Sequence, residues 1–192
     1  LCAVELCSLH MAYGWHPEQV VANALFADGA AAVVASAHPS PVNPSPTHQT
    51  LALRRSGSMV IPNSADLMHW EIGDHGFAMG LSPLVPETVG AALLPWLRDW
   101  LNDVDIELEA VTSWAVHPGG PKILSTCAEV LSLEPNRLLD SRAVLQDHGN
   151  MSSATILFIL ERLRRRSTAG LCLALAFGPG LTAEVALFDR QV

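Results

Sequence analysis

Two residues in this chain, His117 and Asn150, have the chemistry and the setting to manage negative charge. His117 lies in the run Val116-His117-Pro118-Gly119-Gly120-Pro121. An imidazole titrates near neutrality, and it serves to hold a thiolate as an ion pair or to donate to a developing oxyanion. Gly119 and Gly120 beside it let a ligand come close to the backbone. Asn150 follows Asp147-His148-Gly149 and precedes Met151-Ser152-Ser153-Ala154. It offers an uncharged N–H donor where a helix begins, and it reads as that helix's N-cap. Taken singly, each residue also has a plain structural reading, the His as a turn residue and the Asn as a cap. The cysteines, Cys2, Cys7, Cys127 and Cys172, are widely spaced with no C-x-x-C. Cys2 and Cys7 fall on an expected strand, Cys127 in a helix and Cys172 in an apolar run, so each reads as a small buried hydrophobe.

The elements that must position these residues follow from periodicity. Ala110 to Val116 is apolar and β-branched, with Trp114, and reads as a buried strand. Ile123, Leu124, Cys127, Val130 and Leu131 recur at helical spacing, so 121–132 reads as a helix with Pro121 in its first turn. His117 therefore stands where a strand ends and a helix begins, beside free N–H groups and the positive end of a helix dipole. Upstream, residues 1–9 read as a strand, 10–17 as a loop, Glu18 to Phe26 as a helix and Ala30 to Ala35 as a small-residue strand. His38 to Thr47 carries four prolines and reads as an irregular connection. Leu51 to Ile61 and Leu67 to Leu81 read as strands, and Pro86 to Leu101 as an amphipathic helix that Pro95 bends. After the 121–132 helix come a short loop, a helix from Asn150 to Arg166 and strands over 171–177 and 182–188. Strands alternating with helices imply an α/β layered fold.

The totals narrow the class. A net charge of −8 argues against sequence-independent nucleic-acid binding, which needs a basic surface. Nothing approaches a membrane span or a secretory n-region, and unpaired cysteines suit a reduced, cytoplasmic setting. The chain opens on Leu1-Cys2-Ala3-Val4-Glu5-Leu6-Cys7, without an initiator Met. A core strand is a poor place for a natural terminus, so the expectation is a chain cut short by cloning, proteolysis or a gene boundary drawn too late.

Four stretches carry a resemblance. Ala24 to Val34 (ALFADGAAAVV), Trp114 to Leu124 (WAVHPGGPKIL), Gly149 to Leu160 (GNMSSATILFIL) and Phe177 to Leu187 (FGPGLTAEVAL) resemble, in order, words of the chalcone synthase-like type III polyketide synthases of the thiolase superfamily. The likeness covers the C-terminal half of such an enzyme, or slightly more. It implies a thiolase-like αβαβα fold, with residues 1–40 ending the N-terminal half, 41–47 as a proline-rich connection and 48–192 as the C-terminal half. It also implies decarboxylative condensation of malonyl-CoA with an acyl-CoA starter. His117 and Asn150 would hold the enolate oxygen, and Gly119 and Gly120 would lie against the coenzyme A thioester. Phe26 and Phe77 match the residues that gate the cavity. Cys7, His10 and Ser152 match its lining, and Gly178-Pro179-Gly180 borders the cyclisation pocket. Cys7 and His10 replace the hydroxyl residues of the plant enzymes, which points to the bacterial branch and away from a phenylpropanoyl starter. Ala27 stands where Gly is common and narrows the cavity. Coenzyme A thioesters would be substrates, with no resident cofactor or metal, and the protein would be a homodimer.

The family's nucleophilic cysteine lies upstream of the segment matching Leu1 to Leu9, and none of the four cysteines here corresponds to it. The chain alone is therefore expected not to load an acyl group. An alternative from another class is a non-catalytic thiolase-fold partner or interaction module. A third is a serine hydrolase using Ser152 or Ser153 with His117 and Asp147, although no G-x-S-x-G elbow is present. His69-Trp70-Glu71 with Asp74 and His75 lacks the spacing of H-E-x-x-H and is assigned to surface or dimer contact rather than metal. Arg162, Arg164, Arg165 and Arg166 read as a solvated helix end that complements the dipole.

Overall fold

A computed structural model describes residues 1–11, 13–15, 17–37, 50–74, 76–166 and 168–191. The proline-rich connection over 41–47 lies outside the described residues, as do His38 and His75. The chain folds as β1 (Cys2–Glu5), α1 (Pro17–Leu25), β2 (Gly29–Ala32), β3 (Thr50–Val60), β4 (Met68–Gly73), β5 (Gly76–Leu81) and α2 (Val85–Asn102). There follow β6 (Val111–Val116), α3 (Pro121–Val130), α4 (Leu139–His148), α5 (Ser153–Arg164), β7 (Gly170–Gly178) and β8 (Thr182–Gln191).

The main sheet has the order β3-β8-β7-β6, with β6 and β7 parallel and the other pairs antiparallel. Side chains on successive strand residues face opposite ways, and the two faces differ in size. Trp114, Val116, Leu173, Leu175, Val185 and Leu187 pack with Val89, Leu93, Leu97 and Leu101 of α2 and with Ile123, Leu124 and Cys127 of α3. The alternate residues Ala115, Cys172 and Ala174 are small and meet Ala154, Ile159 and Leu163 of α5. Small side chains on that face let α5 lie close to the sheet. Beyond α5, Ala3 and Ala31 pack from the antiparallel β1–β2 pair. The order through the molecule is thus sheet, helix, sheet, helix, four of the five layers expected.

The free edge of β6 is blunted rather than left bare. Val116 N–H donates to the buried Ser141 Oγ at 3.1 Å, and the Arg137 guanidinium donates to the Thr112 carbonyl. Inside the core, Arg190 is 3% exposed and donates to the carbonyls of Leu163 (2.7 Å) and Arg166 (2.8 Å). Leu163 lies in the last turn of α5 and Arg166 just past it, so the guanidinium sits at the negative end of that helix.

Several expectations are corrected. The first strand stops at Glu5, and Cys7 lies in a 3-10 turn, Cys7–His10, not on a strand. Cys2 is exposed and Cys7 half-buried, so only Cys127 and Cys172 are buried hydrophobes. The loop expected before Asn150 contains α4. Helix α5 starts at Ser153, and its N-cap position is Ser152, not Asn150.

Candidate active site

His117 directly follows β6, and its backbone N–H donates to the Leu175 carbonyl at 2.8 Å, which extends the pairing with β7 by one residue. Gly119 N–H then donates back to the His117 carbonyl at 3.0 Å, closing a tight turn ahead of α3. The His117 residue is 9% exposed. Among the described residues its ring has no hydrogen-bond partner, yet neither ring nitrogen is a fully sealed orphan. Burial lowers its pKa to about 4. The imidazole is therefore neutral near pH 7 and offers one N–H donor. This corrects the expectation of titration near neutrality.

Asn150 is 2% exposed and is held from both sides. Its backbone N–H donates to Leu25 O at 2.9 Å, and its carbonyl accepts from Ala27 N at 2.9 Å, so the residue pairs with Phe26 as an isolated parallel bridge. Its side-chain Oδ1 accepts from Ser152 N at 2.9 Å. That bond fixes the carboxamide plane and leaves Nδ2 with no partner among the described residues, again without sealing it. Met151 N–H donates to Thr155 Oγ1 at 2.8 Å, which ties the loop to α5. Ser152 has φ 51° and ψ −127°, a conformation that glycine favours and that stores strain in a serine.

The two loops rest on one segment. Asn150 pairs with 25–27, and a Cβ built on Gly120 would lie 3.8 Å from Leu25 Cδ2. Residues far apart in the chain thus bring two buried, unspent N–H donors to neighbouring loops.

Phe26 leads outward to a group of rings. Its centroid lies 6.5 Å from that of Trp70, and Trp70 lies 6.3 Å from both Phe77 and His10. His10 and Phe77 meet edge to face at 5.2 Å. The β4–β5 hairpin pairs Trp70 with Met79 and Ile72 with Phe77, so these four share one face. Three of the expected gate and lining residues, Phe26, Phe77 and His10, are therefore one cluster, and Trp70 was missed. The signal for it lay in the alternation of Trp70 and Ile72 against Phe77 and Met79 across a short turn. Cys7 shares the 3-10 turn of His10, and Ser152 is bonded to Asn150. Gly178 and Pro179 lie at the turn between β7 and β8. Their turn docks by Gly180 N–H on Met68 O at 2.7 Å, where β4 begins.

Cys7, Cys127 and Cys172 lack an activated thiol's setting. Burial pushes Cys127 and Cys172 up to about 12. Cys7 is raised by burial first and then by the carboxylates of Glu5 and Asp28. The hydrolase arrangement is not assembled: Ser153 Oγ donates to Glu5, and Asp147 pairs with Arg162 at 3.5 Å. The arginine run is not a merely solvated end either. Arg166 Nη2 lies 2.8 Å from the buried Asp140, Arg162 lies 3.5 Å from the same oxygen, and Arg164 and Arg165 pair with Glu161. His69 and Glu71 do share a face, at 3.5 Å. Among the described residues no group of three His, Cys, Asp or Glu side chains is arranged for a metal, and no helix is long and apolar enough to cross a membrane.

Comparison with known proteins identifies the family. The family model described as chalcone and stilbene synthases, C-terminal domain, matches residues 52–191. A Mycobacterium tuberculosis protein named alpha-pyrone synthesis polyketide synthase-like Pks18 is 31% identical over 190 residues, covering 97% of this chain and 48% of that protein. The solved 1,3,6,8-tetrahydroxynaphthalene synthase of Streptomyces coelicolor, a bacterial type III polyketide synthase, superposes with a TM-score of 0.89 at 31% identity. It is matched over 100% of this chain and 53% of its own. The type III polyketide synthase domain of Dictyostelium Steely1 superposes with a TM-score of 0.88 at 27% identity, with the same coverage. The chain spans about half the length of the mycobacterial relative and of these solved structures. By the profile it matches and the fold it shares, the chain belongs to the chalcone and stilbene synthase family, the type III polyketide synthases.

Proposed function

We propose that this chain forms the enolate-holding part of an enzyme that condenses malonyl-CoA with an acyl-CoA starter. The observation that carries the reading is the pair of unspent donors, Asn150 Nδ2–H and a neutral His117, both buried and both on loops that rest on 25–27. In a malonyl thioester the bond from the α-carbon to the carboxylate breaks, carbon dioxide leaves, and the electron pair moves onto the thioester oxygen. The two N–H groups hold that oxygen in a site from which most water is excluded, where such donors act most strongly. The enolate carbon then attacks an acyl thioester, a C–C bond forms, and the thiolate leaves. The acyl-carrying thiolate comes from outside these 192 residues. The high pKa values of Cys127 and Cys172 and the raised value of Cys7 support that assignment. Gly119 and Gly120 admit the coenzyme A thioester to the backbone, Phe26 and Phe77 gate the cavity, and Cys7, His10, Ser152, Gly178 and Pro179 line it. Coenzyme A thioesters are substrates, and the protein works as a homodimer in the cytoplasm. Residues 1–40 and 48–192 belong to the two thiolase-like halves.

Decarboxylation needs the oxyanion donors and not the thiolate, so it tests the reading directly. In the protein made from its complete reading frame, Asn150→Ala and His117→Ala should each lower malonyl-CoA decarboxylation about 10²–10³-fold. Wild-type rates in both variants would remove the reading. The raised thiols of Cys7, Cys127 and Cys172 favour one rival, a non-catalytic thiolase-fold partner. That rival predicts no acyl adduct by intact mass even from the complete reading frame.

A further inference from the structure

We infer that Trp70 sets the width of the acyl-starter entrance, an inference that rests on the function proposed above. Among the described residues, Trp70 is the ring that joins two groups otherwise not in ring contact. On one side stands Phe26, bridged by backbone to Asn150; on the other stand Phe77 and His10. Trp70 is 41% exposed and Phe77 45%, side by side on the same face of the hairpin. The opposite face of β4 carries His69 and Glu71, which pair with each other and leave the ring cluster alone.

The rings meet tilted or edge to face, at interplanar angles of 56° with Phe26 and 81° with Phe77. Edge-to-face contacts fix ring orientation as well as distance. Truncating Phe26 or Phe77 removes one wall, whereas truncating Trp70 removes the spacer between the walls. The surface the cluster presents is apolar, apart from the indole N–H and the His10 ring. It suits a slender, unbranched hydrocarbon tail. A bulky aryl group needs the room that the indole occupies.

The test is a selectivity ratio, which does not depend on turnover. Two unreactive coenzyme A thioethers, S-hexyl-CoA and S-benzyl-CoA, are titrated calorimetrically into the protein from its complete reading frame. The wild type should bind the hexyl compound more tightly. In Trp70→Ala the benzyl-to-hexyl affinity ratio should rise about tenfold, the scale on which a pocket discriminates small apolar groups. Trp70→Leu should move the ratio in the same direction, which keeps the test valid if the alanine variant folds poorly. Glu71→Ala, on the opposite face of the same strand, should leave the ratio within about twofold of wild type. An unchanged ratio in both Trp70 variants overturns the inference, as does an equal shift in Glu71→Ala. Decarboxylation by the wild type, measured separately, decides the function itself, so the two failures are distinguishable.

Discussion

At the scale of single residues, burial decides the chemistry of His117. Its pKa is lowered to about 4 by loss of water, and no neighbouring charge opposes the shift. A thiolate brought against the ring would favour the imidazolium and raise that value. The same shift has a consequence for stability. Between about pH 6.5 and about 4 the unfolded chain binds a proton at this position and the folded chain does not. Stability therefore falls as the pH drops through that window, by about 3 kcal/mol in all, and this group adds no further loss below it. His117→Gln should flatten that part of the acid limb. The check is the urea midpoint at pH 7 and pH 4.5 for both proteins; an unchanged difference in the variant would mean that other groups carry the acid limb.

At the scale of elements, the site depends on close approach between β2 and the loop before α5. A Cβ on Gly29 would lie 2.6 Å from both Cβ and Sδ of Met151, and Met151 is 2% exposed. The stem of that side chain has nowhere to go, because its neighbours Asn150 and Ser152 are tied to Leu25, Ala27 and each other. Gly29→Ala should cost about 1–3 kcal/mol, the range for overpacking a filled interior. Met151→Ala in the same chain should recover part of the loss. Thermal midpoints of the single and double variants measure the coupling, and strictly additive losses would place the strain elsewhere. The β1–β2 pair therefore does more than extend the layers. It sets the height of the Asn150 loop above the main sheet.

At the scale of the whole molecule, apolar exposure is uneven. Leu9 is 70% exposed, Tyr13 and Trp15 are each 94% exposed, and Val34 is 99% exposed, all within the first 34 residues. The half built on the main sheet buries most of its large side chains between that sheet and α2, α3 and α5, although Leu53, Val60 and Ile72 are exposed there. Exposed apolar surface of that kind drives association. The 192-residue chain on its own should show a sedimentation coefficient that rises with protein concentration, and Val4→Lys with Leu9→Lys should suppress the rise. A concentration-independent monomer would show that this surface is self-sufficient.

What could be read from the residues was what repeats locally. The alternation in β7 and β8, the helical spacing in α2 and α3, and the Pro-Gly-Gly turn after β6 each carry their own period, so the strand-to-helix setting of His117 was legible. Helix α4 was not, because its buried positions are Asp140, Ser141 and Val144, two of them polar. Those two face inward for reasons no local pattern records: Asp140 takes Arg166, and Ser141 takes the backbone of β6. Asn150 read as a cap because it stands near a helix start, but its side chain is committed to Ser152, which takes the strained N-cap position instead. The ring cluster was legible only in parts, since Phe26, His10 and Phe77 come from three separate elements and Trp70 joins them in space. The sequence by itself determined the elements and the donors, because periodicity and side-chain chemistry are local. Only the tertiary structure decided which donors stay unspent and which rings meet, because both depend on contacts between segments far apart in the chain.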